Sequence, residues 1–336
     1  MALYIASHSA DPDGIATHAL ARIRAEQSSS PKDVVHYFVE HTTSDSKPEI
    51  VTLNQALENI LDQQVGEVIV ADMDFFDSLN QDLIREVARK HRASTWYDHH
   101  DGTNSKFAKL EEIGFRVVEN QGNCAAELFR KDQFMGDDCS KSLANISMVH
   151  DYLMQNKPLW AAAEAFEEVI CSGFPLQQLV IDLTREEVFK SDYSNLLDGY
   201  GGDIVQNYRL EVSKAVEELP TTIENRELAG RSVVIATMDE ILYMKRGMRE
   251  LKKYLEVREE GLPDYSILFT KGLNNVLMEG YRKDKRLVPP FCREMLGGGR
   301  QTRGCFSLSK ELFLLPAAVQ IEYIADTFGS YLESKK

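Results

Sequence analysis

The sequence predicts an α/β fold with two domains: an N-terminal, mostly parallel sheet with helices on both faces, and a smaller C-terminal α/β domain. Three observations predict it. The chain has 336 residues, which is enough for two domains with cores of their own. In the first half, short apolar runs alternate with helical patterns, which is typical of a parallel sheet covered by helices. A second alternating pattern begins near Arg231, and we expect the active site in the cleft between the two domains.

The predicted elements of the first half follow from hydrophobic periodicity. Five apolar runs are predicted strands: Leu3–Ala6, Val34–Val39, Glu67–Ala71, Ser94–Tyr97 and Phe115–Val118. Between them, Leu79–His91 carries its apolar residues on one helical face. Residues 124–215 are predicted to be mainly helical, and Asn207–Leu219 reads as a connecting helix that ends at Pro220.

The second half repeats the alternation on a smaller scale. Ser232–Thr237, Tyr265–Thr270, Asn275–Tyr281 and Cys305–Leu308 are predicted strands, and Tyr243–Arg258 is a predicted helix. We therefore expect a first domain over residues 1–190, a connecting segment over 191–224 and a second domain over 225–336.

Composition limits the compartment and the partners. No apolar run approaches the ~20 residues of a membrane helix, so we expect no membrane association. The five cysteines are odd in number and contain no CxxC pair, which favours a reducing cytoplasm over a disulfide framework. The net charge of −15 argues against long duplex nucleic acid as a partner.

The charge is unevenly distributed along the chain. Residues 225–310 contain 17 Lys/Arg against 11 Asp/Glu, so the remainder is strongly acidic. A basic half facing an acidic half that binds metal would suit a small polyanionic substrate. A solvated charged surface would show the same imbalance.

Carboxylates and imidazoles stand at the ends of the predicted strands and of one helical segment. They form four segments: His8-Ser9-Ala10-Asp11-Pro12-Asp13-Gly14, Asp72, Asp98-His99-His100 and His150-Asp151. The carboxyl ends of parallel strands meet at one edge of a sheet, which is where ligands bind in such folds. These side chains are preferred ligands of Mn²⁺ and related ions. Together they predict a two-metal site able to hydrolyse phosphate esters.

Some of these segments have a second interpretation. Asp11-Pro12-Asp13-Gly14 alone is a common turn, and Asp74 competes with Asp72 for the role of ligand or helix cap. Gly122-Asn123-Cys124 opens a helical run whose N-terminus could face an anion or simply be capped by Asn123. Two adjacent imidazoles after a carboxylate at 98–100 are the hardest to explain by packing.

A glycine-rich stretch at residues 297–304 is the other unusual feature. Glycines let backbone amides approach phosphate oxygens closely, and arginine holds phosphate with paired donors. Gly297, Gly298, Gly299, Arg300 and Arg303 are therefore candidate substrate-binding residues, although a flexible hairpin loop has the same composition.

With these motifs in order, the chain resembles the DHH phosphoesterase superfamily, named for its Asp-His-His segment. It also resembles the subfamily with the DHH-associated C-terminal domain, whose glycine-rich loop matches Gly297–Gly299. The resemblance covers nearly the whole chain and implies two divalent metal ions, with Mn²⁺ expected. Metal one would take His8, Asp11 and Asp72, and metal two would take Asp13, Asp72, His99 and Asp151. Asp72 would bridge the two ions, and His100 would contact the scissile phosphate.

Two positions depart from the family pattern. The gap from His8 to Asp11 is three residues, whereas members place the histidine four or two residues before the aspartate. The glycine loop continues with Arg300 rather than histidine, which implies a more cationic pocket supported by Arg303.

The resemblance implies a Mn²⁺-dependent phosphodiesterase that cleaves short linear nucleotides such as pGpG to mononucleotides. The family also contains nanoRNases and RecJ-type exonucleases, and it makes a homodimer an expectation. Alternatives are a phosphomonoesterase acting on 3′-phosphoadenosine 5′-phosphate, a pyrophosphatase, and a nucleotide-binding regulator without catalysis. The intact set of candidate ligands disfavours the regulator.

Overall fold

The structure is a computed structural model whose described residues form two compact units, Met1–Tyr208 and Arg209–Lys336. The boundary falls within the predicted connecting segment 191–224. The described residues are 2–30, 32–40, 49–73, 79–100, 104–120, 122–152, 154–185, 193–238, 244–258, 260–270, 275–282, 285–295, 298–300 and 302–336.

The first unit is built on a six-stranded sheet in which every pair of neighbours is parallel, in the order β3-β2-β1-β4-β5-β6. Its strands are β1 (Leu3–His8), β2 (Val34–Val39), β3 (Ile50–Val51), β4 (Glu67–Ala71), β5 (Ala93–Asp98) and β6 (Arg116–Glu119). The chain runs outward in one direction from β1 to β3 and in the other from β4 to β6. The direction therefore reverses between β1 and β4.

Eight α-helices belong to this unit among the described residues, and a ninth, α9, runs across the boundary into the second unit. They are α1 (Pro12–Gln27), α2 (Leu53–Asp62), α3 (Gln81–Lys90), α4 (Asn104–Ile113), α5 (Ala125–Asp132), α6 (Asp138–Asp151), α7 (Trp160–Cys171), α8 (Leu176–Leu183) and α9 (Gly202–Glu218). Strand β1 shows how both faces are covered. Leu3 and Ile5 belong to a core that contains residues of α1 and α5–α8, whereas Tyr4 and Ala6 belong to a second core with α2, α3 and α4. The predicted sheet with helices on both faces is confirmed.

The second unit contains a mixed six-stranded sheet in the order β11-β12-β10-β9-β8-β7, with only β8 and β9 parallel. Its strands are β7 (Ile223–Leu228), β8 (Arg231–Met238), β9 (Tyr265–Thr270), β10 (Asn275–Gly280), β11 (Gly298–Arg300) and β12 (Arg303–Ser307). The helices are α10 (Met244–Glu256), α11 (Val288–Glu294), α12 (Lys310–Phe313) and α13 (Ala317–Ser334). One face of this sheet packs on α11 and α13 through a single apolar core.

Three strands were not predicted as strands, each for a local reason, and the bounds of several others differ from the prediction by one to two residues at an end. Strand β3 has only two residues, which is too short to show a period. Strand β7 reads Ile-Glu-Asn-Arg-Glu-Leu and is a largely exposed edge strand, so it lacks an apolar run. The glycine stretch, interpreted as a loop, contains β11, because backbone pairing with β12 needs no side chain.

Two further properties concern the whole fold. Within the described ranges, no helix is long and apolar enough to cross a bilayer. All five cysteines are free thiols.

A pair of histidines, one buried and one half-buried, gives the first unit a pH-dependent stability. The Nδ1 atoms of His18 and His36 lie 3.0 Å apart, on α1 and β2. Burial, with the nearby charge of Arg22, lowers the pKa of His36 to about 4. The unfolded chain, with an ordinary histidine pKa near 6.5, binds more protons than the folded one in this window. Stability is therefore full above about pH 6.5 and falls as the pH drops toward 4, by roughly 3 kcal/mol for this group.

We predict that His36→Gln reduces this acid-dependent loss. Urea unfolding of the variant and the unmodified protein at pH 7, 6, 5 and 4 measures the difference between the two curves. Between pH 6.5 and pH 4, the unfolding free energy of the variant should rise by roughly 3 kcal/mol relative to that of the unmodified protein. Parallel curves would show that His36 titrates normally.

Candidate metal centre

The predicted ligands of the first domain meet where the strand order reverses. His8 ends β1, Asp72 directly follows β4, and His99 directly follows β5. Because β1, β4 and β5 are adjacent and parallel, their carboxyl ends lie side by side. Open α/β sheets bind ligands at this reversal point. The chain therefore brings side chains that are far apart in sequence to one edge of the sheet.

Asp11 connects the first segment to helix α1. As N-cap of α1, its Oδ1 atom accepts hydrogen bonds from the backbone N–H groups of Asp13 (3.1 Å) and Gly14 (3.4 Å). The Oδ2 atom lies 3.6 Å from His8 Nδ1. The cap therefore fixes one oxygen and leaves the other facing the imidazole.

Gly14 is required because the chain is crowded at this point, not because its conformation is unusual. A Cβ on Gly14 would lie 1.8 Å from the carbonyl oxygen of His8. The first turn of α1 therefore packs directly on the end of β1. This contact holds His8 and Asp11 close together although they are separated by a turn.

We predict that Gly14→Ala displaces the first turn of α1 and lowers both stability and metal affinity. Overpacking of this kind typically costs about 1–3 kcal/mol. Chemical unfolding gives the stability, and a shift in melting temperature with added Mn²⁺ gives the metal response. Gly136→Ala is a matched control, because a Cβ there meets no atom within 4 Å. Equal behaviour of the two variants would contradict the packing argument.

Asp13 is held by the N-terminus of a distant helix. Its Oδ2 atom accepts a hydrogen bond from Ala125 N–H (2.7 Å) and its Oδ1 atom accepts one from Ala126 N–H (2.9 Å), both in the first turn of α5. The anion predicted to face this helix N-terminus is thus a carboxylate of the same chain. Asn123 does not cap α5: the N-cap is Cys124, which makes no side-chain cap hydrogen bond.

Asp72 lies between the two imidazoles. Its Oδ1 atom is 3.2 Å from His99 Nε2, and its Oδ2 atom is 3.8 Å from His8 Nδ1. The residue has φ 53°, a left-handed conformation that aspartate tolerates better than most residues. Its N–H donates to the carbonyl of Tyr97 on β5 (3.0 Å), which anchors this turn to the sheet. The competing residue, Asp74, lies outside the described residues.

The carboxylates of this cluster are electrostatically unfavourable as they stand. Burial, followed by the charges of Asp11 and Asp13, raises the pKa of Asp72 well above its ordinary value. Burial also raises the pKa of Asp13, and the charges of Asp151 and Asp11 add to the effect. Opposite charge placed among them would relieve this repulsion.

The two histidines of the Asp-His-His segment have different surroundings. His99 is only 1% exposed, and its Nε2 atom lies near both Asp72 Oδ1 and Asp13 Oδ2 (3.7 Å). The side chain of His100 is 35% exposed. Asp98 is fully buried and holds the turn, since its Oδ1 atom accepts from the N–H groups of His99 (2.8 Å) and His100 (3.1 Å).

Asp98 also fixes the ring of His100. Asp98 Oδ1 lies 2.6 Å from His100 Nδ1, which leaves the Nε2 atom of His100 available to a substrate. Burial alone would lower the pKa of His100, but the hydrogen bond and charge of Asp98 raise it above its ordinary value. Asp98 therefore favours a cationic ring at position 100.

Asp151 contacts the opposite edge of the His99 ring. Its Oδ2 atom lies 3.3 Å from His99 Nδ1, whereas Asp13 and Asp72 lie near Nε2. An ion at Nε2 would therefore have Asp13 and Asp72 beside it in this conformation. Asp151 therefore lies on the side of the ring from which a carboxylate orients a metal-binding imidazole. Its role as a ligand, which the resemblance implies, stays a prediction.

The donor set fits divalent ions. Ligand atoms of His8, Asp11 and Asp72 all lie within 4.8 Å of one another, and so do those of Asp72, His99 and His100. Asp72 belongs to both groups, as a bridging ligand would. Its Oδ2 atom is buried and accepts no hydrogen bond from the described residues. Carboxylate oxygens and imidazole nitrogens are the donors that Mn²⁺ takes.

In the second unit, the predicted substrate-binding residues are described in part. Gly297 lies outside the described residues. Gly298, Gly299 and Arg300 form β11, and the backbone register pairs Arg300 with Arg303 on β12. The Nε atom of Arg303 lies 2.8 Å from Oε1 of the buried Glu279, its register partner on β10.

Sequence reasoning missed three buried charged or titratable residues. Glu279 stands in the otherwise apolar strand β10, and this interruption was the available signal. His150 and Glu167 form a buried pair between α6 and α7. His150 was noticed only as a neighbour of Asp151, and Glu167 gave no signal within its alanine-rich helix.

Comparison with solved structures shows the same fold in known phosphoesterases. The pGpG-specific phosphodiesterase PggH from Vibrio cholerae aligns with a TM-score of 0.54 and 11% identity, covering 100% of both chains. The exonuclease RecJ bound to manganese aligns with a TM-score of 0.55 and 12% identity, covering 97% of this chain and 89% of that chain. RecJ from Thermus thermophilus in complex with Mn²⁺ aligns with a TM-score of 0.56 and 11% identity, covering 96% of this chain and 52% of that chain.

These identities are low, so the likeness is one of fold. No family model matches the chain, and no curated protein sequence matches it. The α/β fold that the resemblance implied is confirmed, because PggH and RecJ share it with this chain.

Proposed function

We propose that this chain is a divalent-metal-dependent phosphodiesterase that hydrolyses short linear nucleotides, with pGpG as the first candidate substrate. The observation that carries the proposal is the meeting of Asp72 with three other aspartates and two histidines at the reversal point of the sheet. The fold shared with PggH and RecJ supports the same reaction class.

Two ions held in this cluster would supply an activated water molecule and neutralise charge on the phosphoryl group. His8, Asp11 and Asp72 would hold the first ion. Asp13, Asp72 and His99 would hold the second, with Asp151 as a further ligand or as the residue that orients His99. We expect Mn²⁺, the ion bound in the two RecJ structures.

His100 would bind the scissile phosphate. Its Nδ1 atom is engaged by Asp98, so Nε2–H is the donor that remains for a phosphoryl oxygen. A cationic ring, favoured by Asp98, would stabilise the charge that develops there in the transition state. The geometry gives His100 a position that the more deeply buried His99 cannot take.

The second unit would bind the far end of the substrate. Arg303 is one quarter exposed and has Glu279 at its Nε atom, which leaves the terminal nitrogens of its guanidinium for a ligand. Arg300, its register partner, would add a second cation, and the glycines at 297–299 would let backbone amides approach a phosphate or base. Glu279 would hold the Arg303 guanidinium in a fixed orientation.

The test is a product assay with Mn²⁺ on pGpG, other dinucleotides, a five-nucleotide RNA, cyclic di-GMP, cyclic di-AMP and 3′-phosphoadenosine 5′-phosphate. Selective conversion of pGpG to GMP supports the proposal in its narrow form. Equal cleavage of all short RNAs makes the protein a general nanoRNase. Release of inorganic phosphate alone refutes the phosphodiesterase and favours the phosphomonoesterase. Tight binding of a nucleotide, without turnover under any divalent ion, would favour the nucleotide-binding regulator without catalysis.

The homodimer and the cytoplasmic location stay predictions. Light scattering of the purified chain measures the first, and fractionation of cells measures the second.

A further inference from the structure

A buried pair of titratable side chains lies immediately behind the metal centre. His150 is the penultimate residue of α6, directly before Asp151, and Glu167 lies in the middle of α7. Their side chains are 1% and 2% exposed, and His150 Nε2 lies 3.3 Å from Glu167 Oε1. None of the functions assigned above uses either residue.

Apolar core residues stand beside this pair along both helices. The ring of His150 is nearly parallel to that of Trp160, with an interplanar angle of 9°. Other buried residues of the same two helices belong to the apolar core: Ile146, Val149, Ala163, Phe166 and Ile170. Two buried polar side chains in such a setting add little stability compared with apolar side chains of similar volume, because both groups lose their hydration. Stability alone therefore gives a weak reason for its presence.

The position of the pair suggests what it contributes. Asp151 is the last residue of α6, and the backbone N–H groups of Tyr152 and Met154 cap this end by donating to the carbonyls of Met148 and Val149. These backbone bonds hold the helix end but do not by themselves set the direction of the Asp151 side chain. Residue 150 is the closest buried side chain to that end, and Glu167 ties it to a second helix. Asp151 in turn reaches His99 Nδ1 at 3.3 Å. A chain of contacts thus runs from α7 through α6 to an imidazole of the metal centre.

We propose that His150 and Glu167 are positioning residues that fix the end of α6, so that Asp151 meets His99 and the second metal ion at the right distance. The inference rests on the proposed function, because it assigns Asp151 to that ion or to its histidine ligand. Loss of partners behind metal ligands typically costs about 10–100-fold in metal affinity.

The experiment uses the double variant His150→Leu/Glu167→Leu in the full chain. Mn²⁺ is titrated into the metal-free protein, and free ion is followed by its electron paramagnetic resonance signal. We expect the variant to retain one site of unchanged affinity and to bind at the second about 10–100-fold more weakly. Its melting temperature without metal should equal or exceed that of the unmodified protein.

Controls separate positioning from a general structural effect. Tyr200→Phe removes a hydrogen bond to Asp182 (2.7 Å) elsewhere in the first unit and should leave both Mn²⁺ affinities unchanged. Glu167→Gln keeps a polar partner for His150 and should lie between the double variant and the unmodified protein. It also provides the measurement if the double variant does not fold.

The outcomes are distinct from those of the proposed function. The inference is overturned if the double variant binds Mn²⁺ at both sites with unchanged affinity. If the double variant does not fold, unchanged affinity at both sites in Glu167→Gln overturns it. If the unmodified chain binds two Mn²⁺ and the variant loses one, the inference stands even where no nucleotide is cleaved. If the unmodified chain binds no Mn²⁺, both the inference and the proposed function fail.

Discussion

Asp72→Asn should reduce the rate of nucleotide cleavage by more than about 10³-fold while the protein stays folded. Loss of a partner behind a metal ligand typically costs about 10–100-fold, and Asp72 would itself contact both ions. Asparagine is the appropriate replacement because it tolerates the left-handed conformation at φ 53°, whereas alanine would be strained there. Initial rates at saturating Mn²⁺ measure the effect, for Asp72→Ala as well.

The same variant should be more stable than the unmodified protein when no metal is present. Burial and the charges of Asp11 and Asp13 raise the pKa of Asp72 in the folded state. The folded protein therefore binds a proton more readily than the unfolded chain, and stability falls as the pH rises from about 4 through that raised value. Ionisation of Asp72 in the folded protein is therefore unfavourable, and asparagine removes the ionisable group.

Thermal unfolding with and without Mn²⁺ tests both statements together. The unmodified protein should gain stability from Mn²⁺ by mass action, and Asp72→Asn should start higher and gain much less. Asp82→Asn, on an exposed aspartate of α3, is the matched control and should behave like the unmodified protein. Unchanged turnover, or an unchanged response to Mn²⁺, in Asp72→Asn would refute the assignment of Asp72 as the shared ligand.

The sequence predicts the sheet of the first unit well because its strands are buried on both faces. Val34–Val39 and Glu67–Ala71 have the predicted bounds, because each contains a run of apolar residues between polar flanks. Tyr265–Thr270 in the second unit has them as well. Strand β7 could not be found in the same way. It lies at a sheet edge with mostly polar side chains, and only its pairing with β8 makes it a strand.

The candidate site shows the same limit. Strand ends predict that His8, Asp72 and His99 converge, because parallel neighbours end at one edge. No local pattern predicts that Asp13 occupies the N-terminus of α5, since its partners lie more than one hundred residues away. Nor could the sequence tell which edge of the His99 ring faces Asp151. Such details depend on packing of helices that periodicity alone does not place.

His100→Gln should reduce kcat by about 10²–10³-fold and leave the binding of both ions unchanged. This magnitude is typical for removal of one donor that stabilises transition-state charge. The expectation follows from the contact of Nδ1 with Asp98, which engages one ring nitrogen and would leave Nε2 to donate to a phosphoryl oxygen. Steady-state kinetics on the best short nucleotide gives kcat and KM, and Mn²⁺ titration gives the two affinities.

The test discriminates between two roles that the geometry allows for His100. One of its nitrogens also lies within 4.8 Å of ligand atoms of Asp72 and His99, so the ring could serve as a metal ligand. In that case His100→Gln would weaken one Mn²⁺ site, and added Mn²⁺ would restore much of the activity. A loss of kcat that excess Mn²⁺ does not restore, with both affinities retained, would place His100 on the phosphate. Asp98→Asn should then show a smaller loss of kcat, because it keeps the imidazole but weakens the contact that orients it.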